Sequence, residues 1–232
     1  MKILIISDVH GNAEALNALT ESYDELWVLG DLVNYGPEPA PVIRRLRQRA
    51  TLIVRGNHDH AVGYDVDPRC SPPFRAMAEA TRQHALKTLS EEDKHFLRDL
   101  PLTASVERDQ RRFFLCHATP LDPLFAYCPP DSRAWVDEIA AVDADVILVG
   151  HTHLPFVRRI GNRTVVNPGS LGQPKDGGPD ASYAVWQDGE FTLRKMKYPV
   201  DRTVAKIADL PLPTEITAAL RHLLETGSPP TS

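Results

Sequence analysis

Five short polar segments, each following a short apolar run, most constrain what this chain can fold into. The apolar runs are residues 3–6, 26–29, 52–54, 113–115 and 146–149, and their branched and aromatic side chains are typical of buried strands. The polar segments are Asp8-Val9-His10-Gly11-Asn12, Gly30-Asp31, Gly56-Asn57-His58-Asp59, Cys116-His117 and Gly150-His151-Thr152-His153. In open α/β sheets, binding sites form beyond the carboxyl ends of the strands. We therefore expect these five segments to meet in one site.

Histidines are concentrated in these segments. Of the nine histidines, five lie within them: His10, His58, His117, His151 and His153. A single Asp after a strand is most often a turn former, and a single His is most often an ordinary core or surface residue. Imidazole, carboxylate and amide groups that recur together at strand ends indicate instead a transition-metal site.

The five segments resemble the signature of the calcineurin-like metallophosphoesterases, which runs D-x-H, G-D, G-N-H-D/E, H and G-H-x-H. Every position of that signature is filled, and the resemblance covers roughly residues 1–200. The segments Asp8-Val9-His10-Gly11-Asn12 and Val166-Asn167-Pro168-Gly169-Ser170 are similar to the small bacterial and archaeal phosphodiesterase branch. The resemblance implies a four-layer α/β/β/α sandwich with a small helical insert, whereas the periodicity of the sequence alone favours only an α/β fold.

The same resemblance implies two divalent metal ions and a set of ligands. Asp31 matches the bridging carboxylate that both ions share. The other ligands of the first ion would be Asp8, His10 and His153, and those of the second Asn57, His117 and His151. Manganese is the expected ion, with iron, zinc and nickel as alternatives, because mixed imidazole, carboxylate and amide ligands suit these metals better than calcium.

The resemblance also implies catalytic roles. His58 matches the general acid that protonates the leaving alkoxide after hydroxide attack, and Asp59 is the expected partner that orients it. The retromer-subunit relative of this fold lacks the corresponding histidine and works as a scaffold. The presence of His58 therefore favours an enzyme over a metal-stiffened scaffold that binds a protein partner.

The substrate is less constrained. Serine/threonine phosphatases and symmetrical diadenosine tetraphosphatases of this superfamily follow G-D with V-D-R-G, but this chain has Leu32-Val33-Asn34-Tyr35-Gly36-Pro37, without the Arg that grips phosphate. The candidate substrate contacts are Asn12, Asn34, Tyr35, Arg55 and Ser170. We expect hydrolysis of small or nucleotide-like phosphodiesters. Hydrolysis of a dinucleoside polyphosphate or a phosphoprotein stays open as the alternative.

Composition bounds the remaining properties. A chain of 232 residues with 42% hydrophobic content can bury one core, so we predict a single domain over residues 1–225 and a flexible tail over 226–232. A net charge of -5 gives no basis for a nucleic-acid groove. The three cysteines have no CxxC spacing, and the first apolar run is too short for a signal peptide or a membrane span. We expect a cytoplasmic protein with no membrane contact, and a homo-oligomer stays open.

Alternating patterns predict the other elements. Helices are expected over residues 13–21, 39–49, 74–89 and 132–142 and from about residue 91, and strands over 103–107, 111–115, 156–160, 164–166, 183–187 and 191–197. The stretch over about residues 65–100 carries no ligand of the signature. We expect it to form a helical insert that acts as a wall or lid beside the site.

Overall fold

The computed structural model describes residues 1–229 and has two five-stranded sheets with helices outside them. The strands are β1 (Lys2–Ile6), β2 (Glu25–Val28), β3 (Leu52–Ile53), β4 (Thr103–Arg108), β5 (Arg111–Cys116), β6 (Val146–Leu148), β7 (Phe156–Ile160), β8 (Arg163–Asn167), β9 (Ala181–Gln187) and β10 (Glu190–Met196). The helices are α1 (Ala13–Ala18), α2 (Pro39–Arg49), α3 (Asn57–Tyr64), α4 (Pro72–Thr88), α5 (Glu91–Asp99), α6 (Trp135–Ala140), α7 (Val200–Ala208) and α8 (Thr214–Thr226).

The strand order brings the predicted site segments to one end of both sheets. The first sheet has the order β10-β9-β1-β2-β3, in which β1, β2 and β3 are parallel. The second has the order β4-β5-β6-β8-β7, in which β5, β6 and β8 are parallel. Because parallel strands share a direction, their carboxyl ends form one edge of each sheet.

The alternation of side chains along the strands builds the layers. In β1, Ile3 and Ile5 contribute to a buried cluster between the sheets that also contains Trp27, Phe113 and Leu115. The intervening side chains of β1 face the opposite way and join the cluster formed with α1 and α2. This period-two alternation is what a strand buried on both faces requires. The predicted four-layer α/β/β/α sandwich is confirmed.

Two predicted helices are shorter in the structure, and one helix of the structure was not predicted. Helix α1 ends at Ala18 and α6 covers only Trp135–Ala140, so both are shorter than predicted. Helix α3, Asn57–Tyr64, was not predicted, because its polar first turn has no apolar period. The side chain of Asp59 accepts a hydrogen bond from the Gly56 N–H at 3.0 Å, and this cap sets the start of the helix.

The segment over residues 65–100 forms α4 and α5. Met77 of α4, Ile207 of α7 and Leu220 of α8 belong to one buried apolar cluster. Helix α8 continues to Thr226, and residues 230–232 of the predicted tail lie outside the described residues. Within residues 1–229, the helices are too short or too polar to cross a membrane.

Candidate metal centre

The seven predicted ligands lie together at the carboxyl ends of β1, β2, β3, β5 and β6. They are Asp8, His10, Asp31, Asn57, His117, His151 and His153. Asp8, His10, Asp31 and Asn57 follow strands of the first sheet, whereas the other three histidines follow strands of the second. The site therefore spans the seam between the sheets.

The first group consists of Asp8, His10 and His153, all buried, with ligand atoms within 4.8 Å of one another. His153 Nε2 lies 3.2 Å from Asp8 Oδ1 and 3.2 Å from His10 Nε2. Asp8 Oδ1 is buried without a hydrogen-bond partner in the described part of the chain. A buried carboxylate oxygen facing two imidazoles fits a cation site.

The second group consists of Asp31, His117 and His151, with Asn57 beside them. Asn57 Oδ1 lies 3.1 Å from both His117 Nε2 and His151 Nδ1. Asp31 Oδ2 lies 3.2 Å from His117 Nε2 and 3.8 Å from His10 Nε2 of the first group. Asp31 is thus the carboxylate between the two groups, where a bridging ligand must lie.

Backbone groups fix the orientation of three of the imidazoles. His10 Nδ1 lies 3.0 Å from the Val33 carbonyl oxygen, His117 Nδ1 2.7 Å from that of Leu29, and His153 Nδ1 2.6 Å from that of Gln173. A carbonyl can only accept, so each Nδ1 carries a hydrogen and each Nε2 faces the centre. This is the arrangement that orients metal-binding histidines in proteins.

Most of the ligands have unusual backbone conformations. Asp8, His10, Asp31, His151 and His153 have φ between 47° and 63°, in the left-handed region that non-glycine residues rarely adopt. Such conformations cluster at functional sites because the surrounding structure holds them there.

A close approach of backbone to carboxylate adds to this constraint. A Cβ on Gly56 would overlap the Asp31 carboxylate, so only glycine fits at that position.

The electrostatics of the centre also suit cations. Burial alone would raise the pKa of Asp31, but His117 and His58 outweigh it and hold that pKa well below its usual range. Burial lowers the pKa of His10 to about 4 and that of His151 to about 3, which keeps both imidazoles neutral near pH 7. His117 differs, because the Asp31 carboxylate outweighs burial and raises the pKa of His117 to about 9, so an ion at the second group would have to displace a proton from this imidazole. Ionised carboxylates and neutral imidazoles are the protonation states that bind metals, so the residues fit two divalent ions once His117 has lost that proton.

His58 lies beside the centre, but its partner differs from the prediction. Its Nδ1 lies 2.8 Å from the side-chain nitrogen of Asn34, and its backbone N–H donates to Asp31 Oδ1 at 2.8 Å. Asp59 instead accepts hydrogen bonds from the N–H groups of Asp31 and Leu32, both at 2.8 Å. The predicted contact between His58 and Asp59 is wrong, because successive residues of a helix do not face each other.

Asp59 is thus a structural anchor for the Gly30-Asp31 turn. Burial and the Asp31 carboxylate raise the pKa of Asp59 to about 7, against the opposite effect of the N–H groups of Gly56 and Leu32. Its three N–H partners are all backbone groups of the site.

We expect Asp59→Ala to destabilise the metal-free protein by about 3 kcal/mol or more, because three buried N–H groups would lose their acceptor. Urea unfolding without metal measures this loss separately from any loss of bound ions. Asp99→Ala removes an exposed carboxylate paired with His95 and should cost well under about 1 kcal/mol. Equal unfolding free energies for the two variants would contradict the anchoring role.

Of the five predicted substrate contacts, three face away from the centre. The Asn12 amide donates to the Gly172 carbonyl oxygen and the Tyr198 hydroxyl, and the Ser170 hydroxyl donates to the Asp8 carbonyl oxygen. The Arg55 guanidinium donates to the Arg98 carbonyl oxygen at 2.6 Å. These three residues hold the loops around the site together.

A cleft of about 430 Å³ opens over the metal centre. Tyr35, a predicted contact, is part of its lining, whereas Asn34 reaches it only through His58. The rest of the cleft is lined by residues that were not predicted as individual contacts: Arg69, Cys70, Ser71, Phe74, Phe125, Tyr127 and Lys175. Lys175 could have been found in the sequence, because its loop follows β8, a parallel strand of the second sheet, and sites form beyond the carboxyl ends of such strands.

Comparison with known proteins agrees with this geometry. The sequence model of the calcineurin-like phosphoesterase superfamily domain matches residues 1–188. An uncharacterised protein of Methanocaldococcus jannaschii is 31% identical over 91% of this chain and 93% of its own length. The phosphodiesterase YfcE of Escherichia coli is 29% identical over 80% of this chain and 86% of its own length.

A solved structure gives the same result. The metallophosphoesterase from Sphaerobacter thermophilus superposes with a TM-score of 0.79 at 31% identity, covering 95% of this chain and 98% of that one. The family match, the identities and the paired ligand groups agree with the motif-based resemblance. This chain therefore belongs to the calcineurin-like phosphoesterase superfamily, a superfamily of metal-dependent phosphoesterases.

Proposed function

We propose that this protein is a binuclear metal-dependent phosphodiesterase that hydrolyses small or nucleotide-like phosphodiesters. The observation that carries the proposal is the position of Asp31. Its carboxylate lies between two groups of imidazole ligands at the base of a cleft. The His58 side chain lines the same cleft. A phosphoryl group bound in the cleft would meet both groups of ligands and His58 at once.

When bound, two metal ions would supply hydroxide near neutral pH and would stabilise the charge that develops on the phosphoryl oxygens. The protein holds its ligand side chains in fixed orientations. The Nδ1 atoms of His10, His117 and His153 contact backbone carbonyl groups, and Asp31 Oδ1 accepts the His58 N–H. Because these groups are held before substrate binds, little reorganisation accompanies the reaction.

His58 is the proposed general acid. Its ring lines the cleft, and Asn34 lies against Nδ1 on the other side. Burial holds the pKa of His58 well below its usual range, so the protonated imidazole needs an acceptor at Nδ1. An Asn side chain can present either its nitrogen or its oxygen to a neighbour, and with the oxygen toward Nδ1 it would favour the protonated imidazole against burial. Nε2 would then donate its proton to the leaving alkoxide.

The lining of the cleft supports a small substrate with an aromatic substituent. Phe74, Phe125 and Tyr127 surround the metal centre, and a cleft of about 430 Å³ is in the range of small-molecule sites. Aromatic side chains offer flat apolar faces on which a nucleobase can stack. These features favour a nucleotide-like diester over a folded phosphoprotein.

Two further properties belong to the proposal. Manganese is the proposed ion at both sites, because the mixed nitrogen and oxygen ligands suit it. The three cysteines are free thiols, which supports a reducing cytoplasm as the compartment.

Turnover of bis(4-nitrophenyl) phosphate tests the proposed activity. We expect manganese-loaded protein to release 4-nitrophenolate, and we expect a chelator to abolish release and added manganese to restore it. A second panel of cyclic nucleotides, dinucleoside polyphosphates and phosphopeptides ranks the substrate classes by kcat/KM. Absence of turnover by protein that carries two metal ions would favour the scaffold alternative, and a preference for phosphopeptides would overturn the proposed substrate class.

A further inference from the structure

Two cations in the cleft lining, Arg69 and Lys175, belong neither to the ligand set nor to the candidate substrate contacts of the signature. Lys175 lies in the loop between β8 and β9 and is part of the cleft lining. Its Nζ lies 3.4 Å from Nε2 of the ligand His153. We propose that Lys175 binds a non-bridging oxygen of the phosphoryl group and so replaces the arginine that is missing after Gly30-Asp31. This inference rests on the proposed function, because it concerns the substrate of the same site.

The two arginines near the site, Arg55 and Arg69, do not lie where Lys175 lies. Arg55 donates to the Arg98 carbonyl oxygen, and its guanidinium carbon lies 5.3 Å from the centre of the Tyr64 ring. Arg69 is exposed at the rim, with its guanidinium carbon 4.4 Å from the centre of the Phe125 ring. Lys175 alone of these three lies against a metal ligand. An ammonium group offers three donors and suits a phosphate oxygen as a point charge.

One contact of Lys175 and one contact of its loop hold the lysine over the centre. Its Nζ lies 4.2 Å from the centre of the Phe74 ring, a distance at which a cation is attracted to an aromatic face. The Gln173 carbonyl oxygen, two residues before Lys175, lies 2.6 Å from His153 Nδ1. The loop that orients a metal ligand therefore also positions the lysine. Phe74 belongs to α4, so the insert contributes to substrate binding through this contact.

The competing explanation is that Lys175 only neutralises the buried carboxylates of the centre. The two explanations differ in the property that the positive charge of Lys175 affects. A phosphate-binding lysine affects ligand affinity and leaves metal content unchanged. A lysine that serves the fold affects metal content or thermal stability and leaves phosphate affinity unchanged.

The test uses Lys175→Met, which keeps most of the side-chain length without the charge, and Lys175→Arg, which keeps the charge. Lys197→Met is the matched control, because Lys197 is exposed on the chain after β10. Calorimetry measures the binding of orthophosphate to manganese-loaded protein, and kinetics with bis(4-nitrophenyl) phosphate gives kcat and KM. Metal content and melting temperature are measured for every variant.

We expect Lys175→Met to weaken orthophosphate binding about 10- to 100-fold and to raise KM, because a hydrogen bond from a charged donor is lost. Metal content should stay at the wild-type value, Lys175→Arg should recover most of the affinity, and Lys197→Met should behave as wild type. Phe74→Leu should weaken orthophosphate binding only a few-fold, since it removes the ring that positions the lysine and keeps the charge.

Unchanged orthophosphate affinity in Lys175→Met would overturn the proposal, as would a loss of metal or of folding in that variant. Failure of the proposed function is a separate result. A wild-type protein that carries metal and turns over no phosphodiester would refute the enzyme, whereas the calorimetric comparison would still decide whether Lys175 binds phosphate.

Discussion

Asp31→Asn is expected to remove metal from both sites and to lower kcat by about 10³-fold or more. Asp31 Oδ2 faces His117 of one group and His10 of the other, so one neutral amide removes the anion that both cations would share. Asn is the appropriate replacement because it tolerates the left-handed backbone at this position, where φ is 56°.

Elemental analysis of manganese-reconstituted protein checks this expectation. Wild type should carry close to two ions per chain and Asp31→Asn well under one. Asp188→Asn is the matched control, since Asp188 has a similar φ of 54° in the exposed turn between β9 and β10. Two retained ions in Asp31→Asn would show that the carboxylate between the groups is not a shared ligand.

His58→Ala is expected to lower kcat by about 10² to 10⁴-fold, the range for loss of a general acid, while both metal ions stay bound. The loss should be large for esters with alkoxide leaving groups, which need a proton. It should be small for 4-nitrophenolate, which leaves without one. The comparison therefore needs two substrates that differ only in the leaving group.

Measured kcat values for the two leaving groups, together with metal content, decide the role of His58. His84→Ala is a suitable control, because His84 lies in α4 outside the residues that line the cleft. If His58→Ala lost the same factor on both substrates, or lost metal, His58 would be a structural residue of the centre and not its acid.

The sequence brought the candidate metal ligands together because each one follows a strand. The direction of β1, β2, β3, β5 and β6 brings short, separate segments to one edge, so local pattern was enough to group Asp8, Asp31 and His117. The order of the layers was implied by the resemblance to the metallophosphoesterases, since the periodicity of the sequence alone favoured only an α/β fold.

What the sequence could not give depends on contacts between distant parts of the chain. The partners of Asp59 are backbone N–H groups. Residue types alone do not indicate which backbone N–H groups a side chain contacts. Phe74 and Lys175 are about 100 residues apart, and only the packing of α4 beside the loop after β8 brings the ring and the ammonium together. The left-handed conformation of the ligands was equally hidden, because Asp and His in this conformation look like any other Asp and His in a sequence.

The distribution of ligands over two sheets has a thermodynamic consequence. Each group takes ligands from both sheets, so an ion bound there joins two layers that otherwise meet through apolar side chains. An ion that binds only the folded state adds RT ln(1 + [M]/Kd) to the free energy of unfolding, about 2.7 kcal/mol at 100 times Kd. With ions bound in both groups, the layers could not separate until both ions left, so the supply of divalent cation and the persistence of the folded sandwich would become one coupled equilibrium.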